Sequence, residues 1–178
     1  MVTLRILTTD DWPLWRDLRL AALSDAPHAF KARLADWHHG GEERWRARLH
    51  LPGAHHVAAL LDGPDGPDAT PVGLADGLPG ADGVRELRSV WVGPKARGRG
   101  VADRLLEEVE RWARASGGST LRLAVLPGNE PAITLYRRHG FTELTALTAL
   151  TALTEPGGPG GPLAGGVARE LVMAKPLR

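Results

Sequence analysis

The stretch that decides the fold runs Val90-Trp91-Val92-Gly93-Pro94-Lys95-Ala96-Arg97-Gly98-Arg99-Gly100-Val101-Ala102. Its first three residues read as an apolar strand, Gly93-Pro94 as a turn, Lys95 to Gly100 as a basic glycine-bearing loop, and Val101 onward as the start of a long helix. A helix N-terminus exposes backbone N–H groups with no intrahelical acceptor, at the positive end of the helix dipole. Glycines let a ligand come close to that backbone, and two arginines add charge. The pattern is that of a phosphate or pyrophosphate cradle.

The nucleotide-triphosphate loop requires Gly-x-x-x-x-Gly-Lys-Ser/Thr, and Val101-Ala102-Asp103 after Gly100 excludes it. The dinucleotide fingerprint Gly-x-Gly-x-x-Gly begins with Gly98 and Gly100 but meets Asp103 where its third glycine belongs. What fits is Arg-x-x-Gly-x-Ala, spelled Arg97-Gly98-Arg99-Gly100-Val101-Ala102.

Working outward, Val84 to Val92 reads as the strand entering this loop. Ala102, Leu105, Leu106, Val109, Trp112 and Ala113 form one apolar helical face behind it, with Glu107/Arg111 and Glu110/Arg114 spaced to pair on the other. Ser116-Gly117-Gly118 ends that helix, and Thr120 to Leu126 is a compact apolar strand. Asn129-Glu130-Pro131 starts a further helix, closed by Gly140. Upstream lie a strand at Thr3 to Leu7, a helix from Trp12-Pro13 to Ser24, a short helix from Glu42 to His50, and strands at His56 to Leu61 and Pro71 to Leu78 joined by a turn-rich acidic loop. Phe141 to Leu144 and Val167 to Lys175 supply the last strands. The fold class is α/β (α+β) in a single domain spanning 1–178. The Thr-Ala-Leu triplets and the Gly/Pro tract at about 145–166 read as a flexible insertion, since a three-residue leucine period matches neither a helix face nor a strand face.

Composition narrows the function. The 178 residues carry a formal charge of +1, so no bulk field favours nucleic acid or a membrane surface. There is no cysteine, which removes disulfides, thiolate metal ligands and a thiol nucleophile. The N-terminal residues lack a signal-peptide apolar run, and no segment has transmembrane length, so a cytoplasmic protein is expected.

A second motif, Asn129-Glu130-Pro131-Ala132-Ile133-Thr134-Leu135-Tyr136-Arg137-Arg138-His139-Gly140-Phe141, stands one strand after the first. The two together, in this order, resemble the paired hallmarks of the GNAT superfamily of N-acetyltransferases. That resemblance implies a mixed, splayed central β-sheet flanked by helices, with acetyl-coenzyme A as co-substrate and no metal. It implies that pantetheine pairs with the backbone of Val90, Trp91 and Val92, and that pyrophosphate rests on Gly98, Arg99, Gly100, Val101 and Ala102. Arg97 and Arg99 either add charge there or are solvated, and Asn129 touches the cofactor, caps its helix, or does both.

Acetyl transfer from a thioester to an amine needs an uncharged amine, a stabilised oxyanion and a proton for the departing thiolate. The backbone near Val92 serves the oxyanion by this resemblance, and Tyr136 matches the tyrosine that protonates the sulfur. Its phenol, with a reference pKa of about 10, holds its proton at neutral pH. Glu86 is the candidate base, with ion pairing to Arg88 or Arg85 as its alternative. Regular alternation would place Glu86, Arg88, Val90 and Val92 on one face, unless a bulge intervenes. His28, His38, His39 and His139 are spare candidates. The region Ala29 to Trp45 forms part of the acceptor wall by analogy, where Asp36, Trp37 and Trp45 are able to receive a cationic amine, although core packing is the favoured reading of the tryptophans. The acceptor is expected to be the amine of a small molecule, with direct attack in a ternary complex. A homodimer is left open, and a non-catalytic acyl-CoA-binding sensor or partner-binding module is the rival reading.

Overall fold

The computed structural model describes residues 1–27, 41–63, 66–144 and 170–178. His28, Asp36, Trp37, His38, His39 and the repeat tract at 145–166 lie outside these. Seven strands, β1 (Val2–Ile6), β2 (His55–Gly63), β3 (Gly66–Pro79), β4 (Val84–Val92), β5 (Thr120–Val125), β6 (Thr142–Glu143) and β7 (Leu171–Pro176), form one sheet in the order β1-β2-β3-β4-β5-β7-β6. Four helices accompany them: α1 (Trp12–Asp25), α2 (Glu42–Leu49), α3 (Val101–Ala115) and α4 (Glu130–Arg138). All strand pairs are antiparallel except β4 with β5, which α3 joins as a crossover. No helix among the described residues is long and apolar enough to cross a membrane.

Side-chain parity divides the sheet into two faces. Val57, Ala59, Ala75 and Leu87 turn to the face covered by α3 and α4, where Leu105, Leu106, Val109, Ile133 and Tyr136 close the larger core. Ala58 and Leu74 turn to the face covered by α1 and α2, where Trp15, Leu18, Trp45 and Leu49 pack. Trp45 takes the favoured core role and not that of a ring for the acceptor amine: it is buried edge-on against Trp15 at 5.6 Å between centroids. Helix α3 sits close on β3, because Gly77 faces Trp112: a Cβ there would stand 2.5 Å from the indole. Of the two expected helix-surface pairs, Glu110–Arg114 forms at 2.7 Å, whereas Arg111 pairs with Glu108 rather than Glu107. Glu108 also accepts from His55, whose ring stacks on Trp112.

One polar pair is buried under α1. His56 Nδ1 lies 2.7 Å from Asp76 Oδ1 across adjacent strands, and both side chains are almost fully enclosed. Burial alone would raise the Asp76 carboxyl, but the His56 hydrogen bond and the nearby Arg48 and Arg19 hold it below the usual carboxylate range. A depressed native pKa contributes stability above the unfolded value of about 4, and that stability is lost as pH falls through the native value.

Gly77→Ala is therefore expected to cost about 1–3 kcal/mol by overpacking against Trp112, read as a lowered urea midpoint. Asp76→Asn is expected to cost about 3 kcal/mol at pH 7 and to shed part of the acid-side decline. Urea titrations at pH 7 and below pH 4 check this: the gap between the proteins narrows in acid, and a constant gap would refute the assignment.

Candidate active site

Parallel pairing between β4 and β5 stops almost as soon as it begins. Val84 pairs with Thr120, Arg85 with Leu121 and Glu86 with Arg122, and beyond that register the strands diverge. The sheet therefore opens into a cleft between the second half of β4 and the end of β5, as the splayed sheet expected from the sequence requires. Within this half of β4 the register to β3 shifts between Leu74 and Asp76, and Ser89 takes a left-handed φ of 59°. This is a β-bulge, and it overturns the regular alternation. Glu86 and Arg88 pair with Leu78 and Asp76 on the α1/α2 face, while Val90 and Val92 pack into the core on the α3 face. Trp91 joins the α1/α2 cluster. The bulge is held from α1 by buried Arg19, whose Nη1 donates to Ser89 Oγ at 3.0 Å.

The bulged strand presents backbone donors to the cleft. Gly93 N–H donates to Val72 on β3 at 2.7 Å, and N–H directions alternate along a strand, so Val92 N–H points the other way, toward β5. The chain then turns through Pro94–Ala96 into the glycine loop. Gly98 and Gly100 stand at φ of +73° and +72°, conformations that L side chains rarely adopt, and nothing crowds the place of a Cβ at either. The first intrahelical bond of α3 is Arg104 N–H to Gly100 C=O at 3.2 Å, so the N–H groups of Val101, Ala102 and Asp103 have no acceptor in the helix. Arg99 is exposed beside them.

Arg97 is engaged elsewhere. Its Nε donates to Val92 C=O at 3.1 Å, and its Nη2 pairs with Asp25, the last residue of α1. Asp25 also accepts from Trp91 Nε1 at 2.9 Å. A carboxylate at a helix C-terminus is disfavoured by the dipole, so these two partners account for its place. The result is a brace linking α1, β4 and the glycine loop.

Tyr136 lies on α4 facing the same core as Val90, Val92 and Val125, edge-on to Phe141 at 5.9 Å. Its phenol makes no hydrogen bond among the described residues, and burial pushes its pKa up to about 12. Asn129 caps α4, its Oδ1 accepting from Ala132 N–H at 3.4 Å. His139 is tied to Asp103 at 2.7 Å, alongside Arg138. Glu86, the candidate base, is enclosed by cations: it accepts from Arg88 at 2.9 and 2.5 Å and from Arg122 at 2.6 Å. Burial works to raise its carboxyl, but these guanidiniums outweigh burial and hold it below the ordinary range. Arg88 was foreseen as a partner. Arg122 was not, because only the β4–β5 register brings it near, and Arg85 instead binds Ser116.

Comparison with known proteins agrees with this geometry. A 59-residue stretch, 33% of this chain and 35% of the relative, is 39% identical to thialysine N-epsilon-acetyltransferase of Bos taurus. A 61-residue stretch, 34% of this chain, is 41% identical to 40% of an IAA acetyltransferase of Azospirillum brasilense. The chain thus matches little more than a third of the length of these curated relatives. A GNAT-family acetyltransferase from Streptococcus pneumoniae superposes over all of both chains with a TM-score of 0.72 at 19% identity, a likeness of fold. The acetyltransferase (GNAT) family pattern matches residues 12–141. With the splayed sheet and the glycine loop in place, this chain belongs to the GNAT acetyltransferase family.

Proposed function

We propose that the protein is an acetyl-CoA-dependent N-acetyltransferase acting on the amine of a small molecule. The observation that carries this reading is the cleft between β4 and β5, with free N–H donors along one side and the buried Tyr136 phenol nearby. The residues present suit coenzyme A. The unpaired edge of β4 offers a backbone on which an amide-bearing chain adds like a strand, and Gly98, Arg99, Gly100, Val101 and Ala102 converge N–H groups that would hold a pyrophosphate. When bound, acetyl-CoA supplies an acyl group activated as a thioester.

The protein's own groups then have distinct tasks. Val92 N–H is a donor for the acyl oxygen. Tyr136 Oη holds the proton that the sulfur takes up as the amine nitrogen bonds to the acyl carbon and the C–S bond breaks, and the proton that the nitrogen sheds in becoming an amide restores the phenol. Its raised pKa keeps that proton in place at every physiological pH. Asn129 fixes the start of α4 and so the position of Tyr136. Arg97 braces the loop through Val92 and Asp25, while Arg99, exposed and without a partner among the described residues, is available to the cradle. Glu86, engaged by two arginines, is better suited to anchoring them than to taking a proton. The thialysine relatives support an amine acceptor of small size.

Thiol release from acetyl-CoA with a panel of amines tests the reading. Tyr136→Phe is expected to lower turnover about 100-fold, a typical contribution from a positioned acid, with coenzyme A affinity by calorimetry changing less than about twofold. Undiminished turnover would remove Tyr136 as the proton donor. Gly100→Ala places a β-carbon on a left-handed backbone at a cost of about 1 kcal/mol, so the fold persists while acetyl-CoA affinity falls about tenfold or more. Unchanged affinity would separate the cofactor from this loop. Tight binding of acetyl-CoA without turnover on any amine would favour a binding module over an enzyme.

A further inference from the structure

The charge on the α1/α2 face of the sheet bears on what the acceptor must carry. Glu86, Arg88 and Arg122 lie side by side where β4 and β5 part, on the face opposite the α3 core. Arg19, Arg48 and Asp76 interact electrostatically with one another on that same face. Among the described residues, these four guanidiniums and two carboxylates lie together on the α1/α2 face beside the cleft.

The guanidiniums are also oriented and incompletely used. Glu86 takes Nε and Nη2 of Arg88 and Nη2 of Arg122. Arg88 Nη1, Arg122 Nε and Arg122 Nη1 have no hydrogen-bond partner among the described residues. The Arg122 side chain is 18% exposed, so its spare donors are largely shielded from water, and Arg88 at 50% is open to an incoming group. Beside them on β5, Ala124 is exposed, leaving a shallow floor next to the two arginines. A planar carboxylate matches such a pair of forks better than any neutral group does.

We propose that Arg88 and Arg122, held by Glu86, bind a carboxylate on the acceptor, and that the acetylated amine sits at the far end of the acceptor's chain from that carboxylate. The proposal rests on the acetyl-transfer reading and names its substrate class. The spacing follows from the strand: Arg88 and Val92 stand roughly 13 Å apart at about 3.3 Å per residue, slightly less across the bulge. An amine next to the carboxylate would stay beside the arginines, whose heads turn back onto Glu86, whereas a terminal amine extends toward the Val92 donor.

The test compares L-lysine with pentane-1,5-diamine, which keeps the terminal amine and lacks the carboxylate. Wild-type protein is expected to show kcat/KM at least tenfold higher for lysine. Arg122→Gln and, separately, the more exposed Arg88→Gln are expected to cut that ratio at least tenfold, with the loss carried by the lysine KM, and Arg122→Lys is expected to recover part of it. Equal use of the diamine by the wild type, or no change of the ratio in both variants, overturns the carboxylate site while leaving acetyl transfer standing. Turnover of other amines in the panel but of neither lysine nor the diamine likewise overturns the carboxylate site, whereas acetyl-CoA binding with no turnover of any amine overturns acetyl transfer itself.

Discussion

Parallel pairing between β4 and β5 persists for three residue pairs and then fails, and the rest of the molecule is arranged around that failure. A parallel pair normally continues as long as both strands do, because each unpaired N–H or C=O costs hydrogen-bonding energy. Here the strands separate while β4 still has six residues to run, Leu87 to Val92. The bulge at Ser89 begins this divergence on one side, and Arg19 secures it from above. On the other side β5 is kept by β7, which pairs with it over its whole length from Thr120 to Val125. The opening is thus flanked by two well-made half-sheets, with α3 closing it behind.

The cost of the opening is offset by a few specific contacts. Asp25 joins the end of α1 to Trp91 and Arg97, and Arg97 in turn reaches back to the carbonyl of Val92. At the turn into α3, Gly98 and Gly100 adopt left-handed conformations, and the first three N–H groups of α3 have no acceptor within the helix. Glu86 with Arg88 and Arg122 straddles the last paired register, so an ion cluster stands at the point where backbone pairing gives out.

Much of this could be read in the chain. The bounds of β4 agree residue for residue with the strand read at Val84 to Val92, and the long amphipathic helix and the capped helix after Asn129 are where their periodicity and termini place them. Local signals carried those elements. What was not legible depends on register between distant residues. Serine in a strand gives no warning of a left-handed φ, so the bulge at Ser89 was only a contingency, and with it went the shared face of Glu86, Arg88, Val90 and Val92. Arg122 meets Glu86, and His56 meets Asp76, across strand pairings that no local pattern encodes. The buried place of Trp45 was legible, because an aromatic at helical spacing from Leu49 belongs to a buried face.

The bulge has a consequence for how such a chain can change. By reversing the parity of β4 midway, it assigns Val90 and Val92 to one side of the sheet and Glu86 and Arg88 to the other, so the strand acts as a partition. Substitutions at Glu86 and Arg88 touch neither the glycine loop nor its helix, whereas Trp91 and Asp25 tie the two sides together through Arg97. On the proposed reading, the acceptor side can therefore be re-cut at Glu86 and Arg88 while the donor side keeps its form.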